Sequence, residues 1–373
     1  MKNYLSILFM LMIISCAKQP VQPVLVDEAT FKKEHDGKTI ELFTLKNTNG
    51  MVAQITNYGG KIINLWTPDK NGDFADIVAG YNTPDEYLNT SEIYYGTLIG
   101  RYGNRIAKGQ FTLNDTVYTL ATNNFPNHLH GGVKGFNNVV WDAKKIDDQT
   151  LELTYLSVDG EEGYPGNLNV RVVYTLTNDN ELKTEYWATT DKSTPVNLTQ
   201  HSFFNLKGAG NGDVNEHVMQ IMADNYTPVD STLIPTGEIA PVDGTPFDFR
   251  TPVAIGERLN SDHIQMKYGG GYDHNWVLNK AESGLNYAAK VVEPTSGRIM
   301  EVYTNEPGIQ FYGGNFMTGK DVGKGKTYAY RGAFCLETQH FPDSPNKPEF
   351  PSTILNPGQE YYSICIYKFG VEK

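Results

Sequence analysis

The chain has 373 residues, and its 43 acidic side chains outnumber 31 lysines and arginines, giving a formal net charge of −12. This balance argues against nucleic acid as a partner, because a phosphate backbone is bound by a basic surface. The charge, together with 23 tyrosines and 4 tryptophans, is compatible with a soluble protein that handles neutral ligands such as sugars. The length suffices for one large β-domain or two smaller ones.

The N-terminal residues read as a leader. Lys2 precedes an uncharged apolar run, residues 4–15, which is too short to span a bilayer as a mature helix. The run ends in Ile13-Ile14-Ser15-Cys16, which resembles the lipobox of bacterial lipoproteins. We therefore predict a signal peptide over residues 1–16 with lipidation at Cys16, and an ordinary secretory signal with an incidental cysteine is the alternative.

Residues 17–26 contain two prolines and are predicted to form an extended tether, so that the folded domain comprises residues 27–373. The leader predicts an exported protein, a periplasmic or outer-membrane lipoprotein of a bacterium that meets the membrane through its lipid anchor only. Cys335 and Cys365 lie in apolar, strand-like surroundings and are expected to be buried thiols. A disulfide between them is the alternative in an oxidising compartment, and the sequence alone does not decide between the two.

Period-two alternation of apolar and polar residues recurs beyond the tether, and long helical periodicity is nearly absent. One short helix is predicted at residues 83–88, with Pro84 at its first position. This pattern indicates an all-β protein, a large antiparallel sandwich. Strands are predicted at residues 39–46, 51–55, 61–66, 110–113, 116–120, 151–158, 168–177, 182–189, 288–292, 299–304 and 361–369.

Residues 100–109 form the first polar cluster, in which two glycines lie close to Arg101 and Arg105. A surface turn with solvated charges and an arginine fork that binds a polar ligand both fit this pattern. In residues 127–132, His128 and His130 would lie on one face of a strand. No third ligand is grouped nearby in sequence, so we expect a metal-free polar site rather than a metal centre.

Residues 195–206 place His201 among hydrogen-bonding and apolar side chains. The pattern fits a general acid held in a fixed orientation, and it also fits a satisfied, half-buried histidine. Asp273 follows three glycines and has aromatic neighbours, which fits sugar binding or an Asx-capped turn. Glu337 follows an apolar run within a predicted strand, where a carboxylate is costly unless it is paired or used. It is the best candidate for a general base, and an outward-facing glutamate is the alternative.

Several separated motifs together resemble the aldose 1-epimerases, also called galactose mutarotases, from about residue 27 to the C-terminus. The motifs are Asn57-Tyr58-Gly59-Gly60, Gly100-Arg101 with Asn104-Arg105-Ile106, Leu129-His130-Gly131-Gly132, Gly163-Tyr164-Pro165-Gly166, Asn197-Leu198-Thr199 with His201-Ser202, Asp273-His274-Asn275, Pro307-Gly308 with Gln310-Phe311-Tyr312, and Glu337-Thr338-Gln339. One departure is Gly103, where the family often has alanine, and the leader is another.

The resemblance implies a large antiparallel β-sandwich of the supersandwich type, with an open cleft and no cofactor or metal. It implies that Glu337 takes the proton from the C1 hydroxyl of a free hexose and that His201 protonates the ring oxygen. His130 is implied as the second catalytic histidine, and the implied substrate-binding residues are Asn104, Arg105, Asp273 and Gln310.

The expected function is therefore interconversion of the α and β anomers of galactose or glucose by acid–base ring opening and closing. A glycoside hydrolase on a similar sandwich would need two carboxyl groups, for which Glu337 and Asp273 are candidates. A non-catalytic sugar-binding lipoprotein is a further alternative. An epimerase of hexose 6-phosphates fits less well, because the overall charge is acidic. The sugar preference and the oligomeric state do not follow from the sequence.

Overall fold

Three antiparallel sheets share one apolar core in the computed structural model, which describes residues 19–282 and 284–372. In chain order, the strands of this part are β1 (Lys33–His35), β2 (Lys38–Ile40), β3 (Leu42–Lys46), β4 (Val52–Thr56), β5 (Ile62–Pro68), β6 (Phe74–Asp76), β7 (Thr97–Ile99), β8 (Arg105–Ile106), β9 (Gln110–Leu113), β10 (Thr116–Thr119), β11 (His128–Leu129), β12 (Asp142–Lys145), β13 (Thr150–Ser157), β14 (Leu168–Leu176), β15 (Glu181–Thr190), β16 (Thr194–Pro195), β17 (Thr199–His201), β18 (Val218–Ile221), β19 (Asn225–Thr227), β20 (Ala240–Pro241), β21 (Val253–Ala254), β22 (Asp273–Val277), β23 (Asn286–Val292), β24 (Arg298–Thr304), β25 (Gly308–Tyr312), β26 (Val322–Gly323), β27 (Lys326–Thr327), β28 (Cys335–Gln339), β29 (Ile354–Leu355) and β30 (Tyr361–Val371).

Helical structure is confined to short segments among the described residues. The two α-helices are α1 (Pro84–Asn89) and α2 (Ile264–Gly269), and the 3₁₀ turns are Ala107–Gly109, Phe136–Asn138, Glu161–Gly163, Ile255–Arg258 and Ser344–Asn346. The predicted helix is confirmed as α1. The Thr83 side chain accepts from the Glu86 amide, and the Glu86 carboxylate accepts from the Thr83 amide, a capping box that fixes where the helix begins.

The largest sheet has nine strands in the order β12-β13-β14-β15-β30-β24-β23-β18-β21, and it pairs the chain's C-terminal strand with β15 and β24. A five-stranded sheet has the order β20-β19-β22-β25-β28, and a four-stranded sheet the order β3-β4-β5-β6. The all-β antiparallel fold predicted from the sequence is confirmed. The predicted strand over residues 39–46 is broken at Glu41 into β2 and β3.

Alternation along the strands explains the layering. In β15 the side chains of Leu182, Thr184, Tyr186 and Ala188 are buried, whereas those between them are partly exposed. The same core cluster takes residues from the nine-stranded, five-stranded and four-stranded sheets. One face of each sheet is thus removed from water against the others, as period-two patterning requires.

Two buried tyrosines of the large sheet tie it to other strands. The Tyr174 hydroxyl is 2.8 Å from both the Gly60 carbonyl oxygen and Gln200 Oε1, and Gln200 lies in β17. The Tyr367 hydroxyl donates to the Leu336 carbonyl oxygen in β28 at 2.7 Å. Because an unpaired polar group is costly in a core, each bond fixes the depth and rotation of the strand it reaches.

The N-terminal part of the described chain, residues 19–26, forms neither helix nor strand and contacts the domain. Val21 accepts from the Phe74 amide at 3.0 Å, and the Val26 amide donates to Gln54 Oε1 at 2.8 Å. Within residues 19–282 and 284–372, none of the helices combines the length and the apolar character that a bilayer crossing demands.

We expect Tyr174→Phe to lower the free energy of unfolding by about 1–3 kcal/mol, because it removes the buried hydroxyl that donates its one proton to the Gln200 or the Gly60 oxygen. Chemical denaturation followed by tryptophan fluorescence measures this. Tyr362→Phe is the control: its hydroxyl bonds Glu185 at the exposed surface of the same sheet, so a change below about 0.5 kcal/mol is expected. Equal effects of the two variants would contradict the anchoring role of Tyr174.

Candidate active site

A cavity of about 480 Å³ collects most of the residues singled out from the sequence. His130, His201, Glu337, Asn104, Arg105 and Asp273 all line it. Gln310 lies behind this wall, where its Nε2 donates to Asp273 Oδ1 at 2.7 Å. Residues separated by more than 200 positions in the chain thus meet at one opening.

Glu337 is placed by the register of the five-stranded sheet. In β28 the Leu336 carbonyl accepts a hydrogen bond from the Tyr367 hydroxyl, and the Leu336 side chain packs in the core. Because side chains alternate along a strand, the next one, that of Glu337, points to the opposite face. Gln310 of β25 is its direct cross-strand partner. Glu337 Oε2 is buried and lacks a hydrogen-bond partner among the described protein atoms. An unpaired carboxyl oxygen at a cavity wall fits a group that acts on a ligand.

His201 ends β17, which pairs with β7. Its Nε2 lies 3.6 Å from Glu337 Oε1, and its Nδ1 lies 3.4 Å from the sulfur of Cys335. The Tyr94 ring stacks on the imidazole with centroids 5.8 Å apart. The imidazole is therefore fixed on three sides, and its Nε2 is left facing the carboxyl group and the cavity.

Burial shifts the pKa values of Glu337 and His201 in opposite directions. It raises the pKa of Glu337 well above its usual range, and the nearby Asp273 carboxylate adds to this while Arg105 opposes it. Burial lowers the pKa of His201 to about 4. Both shifts favour the uncharged forms of the two groups, the carboxylic acid of Glu337 and the neutral imidazole of His201.

His130 is oriented by backbone hydrogen bonds. Its Nδ1 accepts from the Asn104 amide at 3.2 Å, and its own amide donates to the Asn104 carbonyl at 3.0 Å. Since Nδ1 is an acceptor, the neutral ring carries its hydrogen on Nε2. Burial, together with the neighbouring His201 imidazole and the Arg105 guanidinium, lowers the pKa of His130 well below its ordinary value. His130 is therefore a neutral hydrogen-bond donor.

This tautomer bears on metal binding. One atom each of His130, His201 and Glu337 lies within 4.8 Å of the others, a grouping that could hold a metal ion. A ligating histidine, however, normally donates its second ring N–H to an acceptor. The second nitrogen of His130 faces a donor instead, so the arrangement favours proton chemistry over ligation.

Arg105 and Asp273 form a second polar pair in the cavity. Arg105 Nη1 lies 3.8 Å from Asp273 Oδ2, and Arg105 Nε donates to Asn124 Oδ1 at 3.2 Å. Burial raises the pKa of Asp273, whereas Arg105 and the Gln310 amide lower it. A guanidinium and a carboxylate that hold each other in place provide the donors and acceptors that sugar hydroxyls need.

Two interpretations of the sequence do not hold in the structure. Arg101 is no partner of Arg105 in a ligand fork, because its guanidinium is buried and bonds Ser157 and the carbonyls of Pro165 and Val158. His128 and His130 do not share a strand face: β11 ends at Leu129, and His130 has φ of 51°. His128 instead bonds Tyr164 and the Ala121 carbonyl.

The cysteines follow the default expectation. Cys335 and Cys365 are free and buried. The cavity is also lined by residues that no sequence motif indicated, namely Glu92, Tyr94, Phe125 and Phe316. These residues lie in irregular segments without periodic patterning. Only the aromatic residues of these segments could have indicated a binding site from the sequence.

Fold and cavity together define a sugar-sized acid–base site on an antiparallel β-sandwich. The family model of the aldose 1-epimerases matches residues 41–368. A galactose mutarotase from Rattus norvegicus is 45% identical over 90% of this chain and 95% of the relative. An aldose 1-epimerase from Escherichia coli K12 is 38% identical over 90% of this chain and 97% of the relative.

Among solved structures, a homologue of the aldose epimerases from C. elegans superposes with a TM-score of 0.83 at 28% identity, covering 90% of this chain and 100% of that one. The chain belongs to the aldose 1-epimerase family. It is an isomerase that interconverts the anomers of its sugar substrate.

The same comparisons overturn the predicted location. Galactose mutarotases of rat, pig and human match at 45%, 46% and 45% identity, and kinship with these animal proteins conflicts with an exported lipoprotein of a bacterium. The location was inferred from residues 1–16 alone, upstream of the matched residues 41–368. Cys16, on which the anchor depended, lies outside the described residues.

We expect Cys335→Ser to raise the pKa of His201 above its value of about 4, because a hydroxyl oxygen accepts from Nδ1–H more strongly than a thiol sulfur does. An NMR titration of the His201 ring signals measures the change. Cys365→Ser, a second buried thiol, serves as the control and should leave His201 unchanged. A lower or unaltered value in Cys335→Ser would show that the sulfur does not bond the imidazole.

Proposed function

We propose that the cavity binds a free aldohexose, with galactose and glucose as the substrates, and that Glu337 and His201 open and close its ring. The observation that carries the proposal is the 3.6 Å separation of Glu337 Oε1 and His201 Nε2 at the cavity wall. A base and an acid at this spacing can reach the two oxygens bonded to one anomeric carbon. The similar proteins named galactose mutarotases support the choice of sugar.

Ring opening uses the ionised form of the pair. The Glu337 carboxylate takes the proton from O1, the C1–O5 bond breaks as the C1=O1 bond forms, and the His201 imidazolium protonates O5. The free aldehyde then rotates about C1–C2. Closure uses the neutral form: His201 takes the proton from O5 while the Glu337 carboxyl group returns a proton to O1 on the new face.

The two forms differ only in where one proton lies. Each ring opening moves the proton from His201 to Glu337, and each closure moves it back, so the pair needs no exchange with water between the two steps. Burial favours the neutral form in the free protein. Sugar hydroxyls and Arg105 around the bound pair would lower the energy of the ionised form that starts opening.

The remaining polar groups bind and orient the sugar in this proposal. His130 donates from Nε2 to a ring substituent, and Asn104, Arg105 and Asp273 bind hydroxyls, with Gln310 holding Asp273 in place. Asp273 is less suited to a second catalytic carboxyl group, since both its oxygens face donors from the protein. The comparisons lend no support to a hydrolase or to a non-catalytic binding protein.

We also propose that residues 27–373 form the unit that acts on the sugar. Phe31, near its start, is fully buried in the core cluster that includes Ile40 and Tyr58. The signal peptide of residues 1–16, the tether of residues 17–26 and the lipid at Cys16 rest on the sequence pattern alone.

Glu337→Gln and His201→Asn should each slow enzymatic anomer exchange by about 10²–10⁴-fold, because each removes one proton-transfer group while keeping its shape. Polarimetry of freshly dissolved α-galactose and α-glucose, corrected for the uncatalysed rate, measures this. Glu360→Gln and His35→Asn change the same residue types outside the cavity and should retain full activity. If the wild-type rate does not exceed that of Glu337→Gln, the assignment of Glu337 as the base is lost.

The pH dependence of kcat/KM should show a wide plateau. Below the His201 pKa of about 4, a second proton enters the pair and no base remains, so activity falls as the pH drops through that value. Above the raised pKa of Glu337 the shared proton is lost and no acid remains. Polarimetric rates across pH test this, and an acid limb at about 6.5, the value of a free imidazole, would contradict the burial effect on His201.

A further inference from the structure

Glu92 is a cavity carboxyl group that the reaction does not use. It lines the same cavity as His201, Asp273 and Glu337, two residues before Tyr94. Its Oε1 accepts from the Tyr94 amide at 3.0 Å. No described residue donates a hydrogen bond to its other carboxyl oxygen, Oε2, which is left to interact with whatever occupies the cavity.

The segment that carries Glu92 is held against the catalytic groups. The Tyr94 ring stacks on His201 and packs edge-on against His130 with centroids 4.9 Å apart. Because Glu92 holds the amide of that same tyrosine, the carboxyl group cannot swing far from the sugar without disturbing both rings. The position of the Glu92 carboxyl group at the cavity wall is therefore fixed by packing.

The charges of the cavity are unbalanced. Three carboxyl groups line it, those of Glu92, Asp273 and Glu337, whereas Arg105 is the one lysine or arginine among the lining residues that the structure describes. Arg105 is already engaged with Asp273, and the buried imidazoles of His130 and His201 are neutral near neutral pH. A negative group that enters the cavity thus meets the Glu92 carboxylate, while Arg105, the guanidinium among the described lining residues, is engaged with Asp273.

We propose that Glu92 is a specificity residue that excludes aldoses bearing an anionic substituent, such as uronic acids and sugar phosphates, and admits neutral and amino sugars. This rests on the proposed function of the cavity. Like charges repel most strongly where water is excluded, so a single carboxylate at the wall suffices to separate the two classes. Neutral hydroxyls, in contrast, gain an acceptor.

The charge of Glu92 sets the conditions of the test. Burial raises its pKa to about 7, so we choose a pH about one unit higher, where roughly nine-tenths of the group is ionised. Polarimetry then gives kcat/KM for galactose, galactosamine and galacturonate. The measured quantity is the ratio of the galacturonate value to the galactose value.

Glu92→Gln should raise this ratio about tenfold, and Glu92→Asp, which keeps the charge, should leave it near the wild-type ratio. Glu216→Gln makes the same charge change at a site on the exposed surface and is the control. Activity on galactose verifies that each variant is folded, and galactosamine should remain a substrate of the wild type.

The outcomes separate the two claims. No acceleration of galactose exchange by the wild type would overturn the proposed function itself. Normal galactose exchange with an unchanged galacturonate ratio in Glu92→Gln, or an equal rise in Glu216→Gln, would overturn the role of Glu92 alone. A rise in Glu92→Asp as large as in Glu92→Gln would show that shape, not charge, sets the ratio, and would also overturn it.

Discussion

The burial of a carboxyl group against an imidazole is the interaction on which the site depends. An isolated charge on either Glu337 or His201 is unfavourable in the buried cavity wall, so burial favours the neutral form of each group. Because the two groups lie close together, a single proton can pass from one to the other through the oxygens of a bound sugar. The pair therefore suits a reaction in which ring opening and ring closing each require one acid and one base.

Several sheets together position Glu337 and His201. The five-stranded sheet presents Asp273, Gln310 and Glu337 from its neighbouring strands β22, β25 and β28, so their spacing is set by backbone ladders. The histidines come from short elements, β17 and the turn after β11. Tyrosines of the nine-stranded sheet reach both β17 and β28. The distance between acid and base is thus controlled from the core rather than from flexible loops.

Much of this could be read from the sequence, and the failures have physical causes. Alternation predicted the sheets, and an acidic residue after an apolar run pointed to Glu337. Strand periodicity misled at His128 and His130, because the chain enters a left-handed conformation at His130 and the shared face is lost. Arg101 was interpreted as part of a surface turn or of a ligand fork, because a charged side chain beside glycines fits both, and its internal hydrogen bonds depend on tertiary packing. Glu92 carries no local pattern, and only tertiary packing brings it to the cavity.

The two carboxyl groups of Glu337 and Asp273 show how environment divides roles. Burial raises the pKa of Asp273 too, but a guanidinium and an amide face its two oxygens and oppose this rise. Glu337 keeps one oxygen without a hydrogen-bond partner among the described residues, and burial raises its pKa. A hydrolase would need both groups free to act across a scissile bond. Here one carboxyl group is fixed as a binding group while the other remains free to exchange a proton, and that asymmetry suits a reaction in which a ring opens and closes on a single carbon.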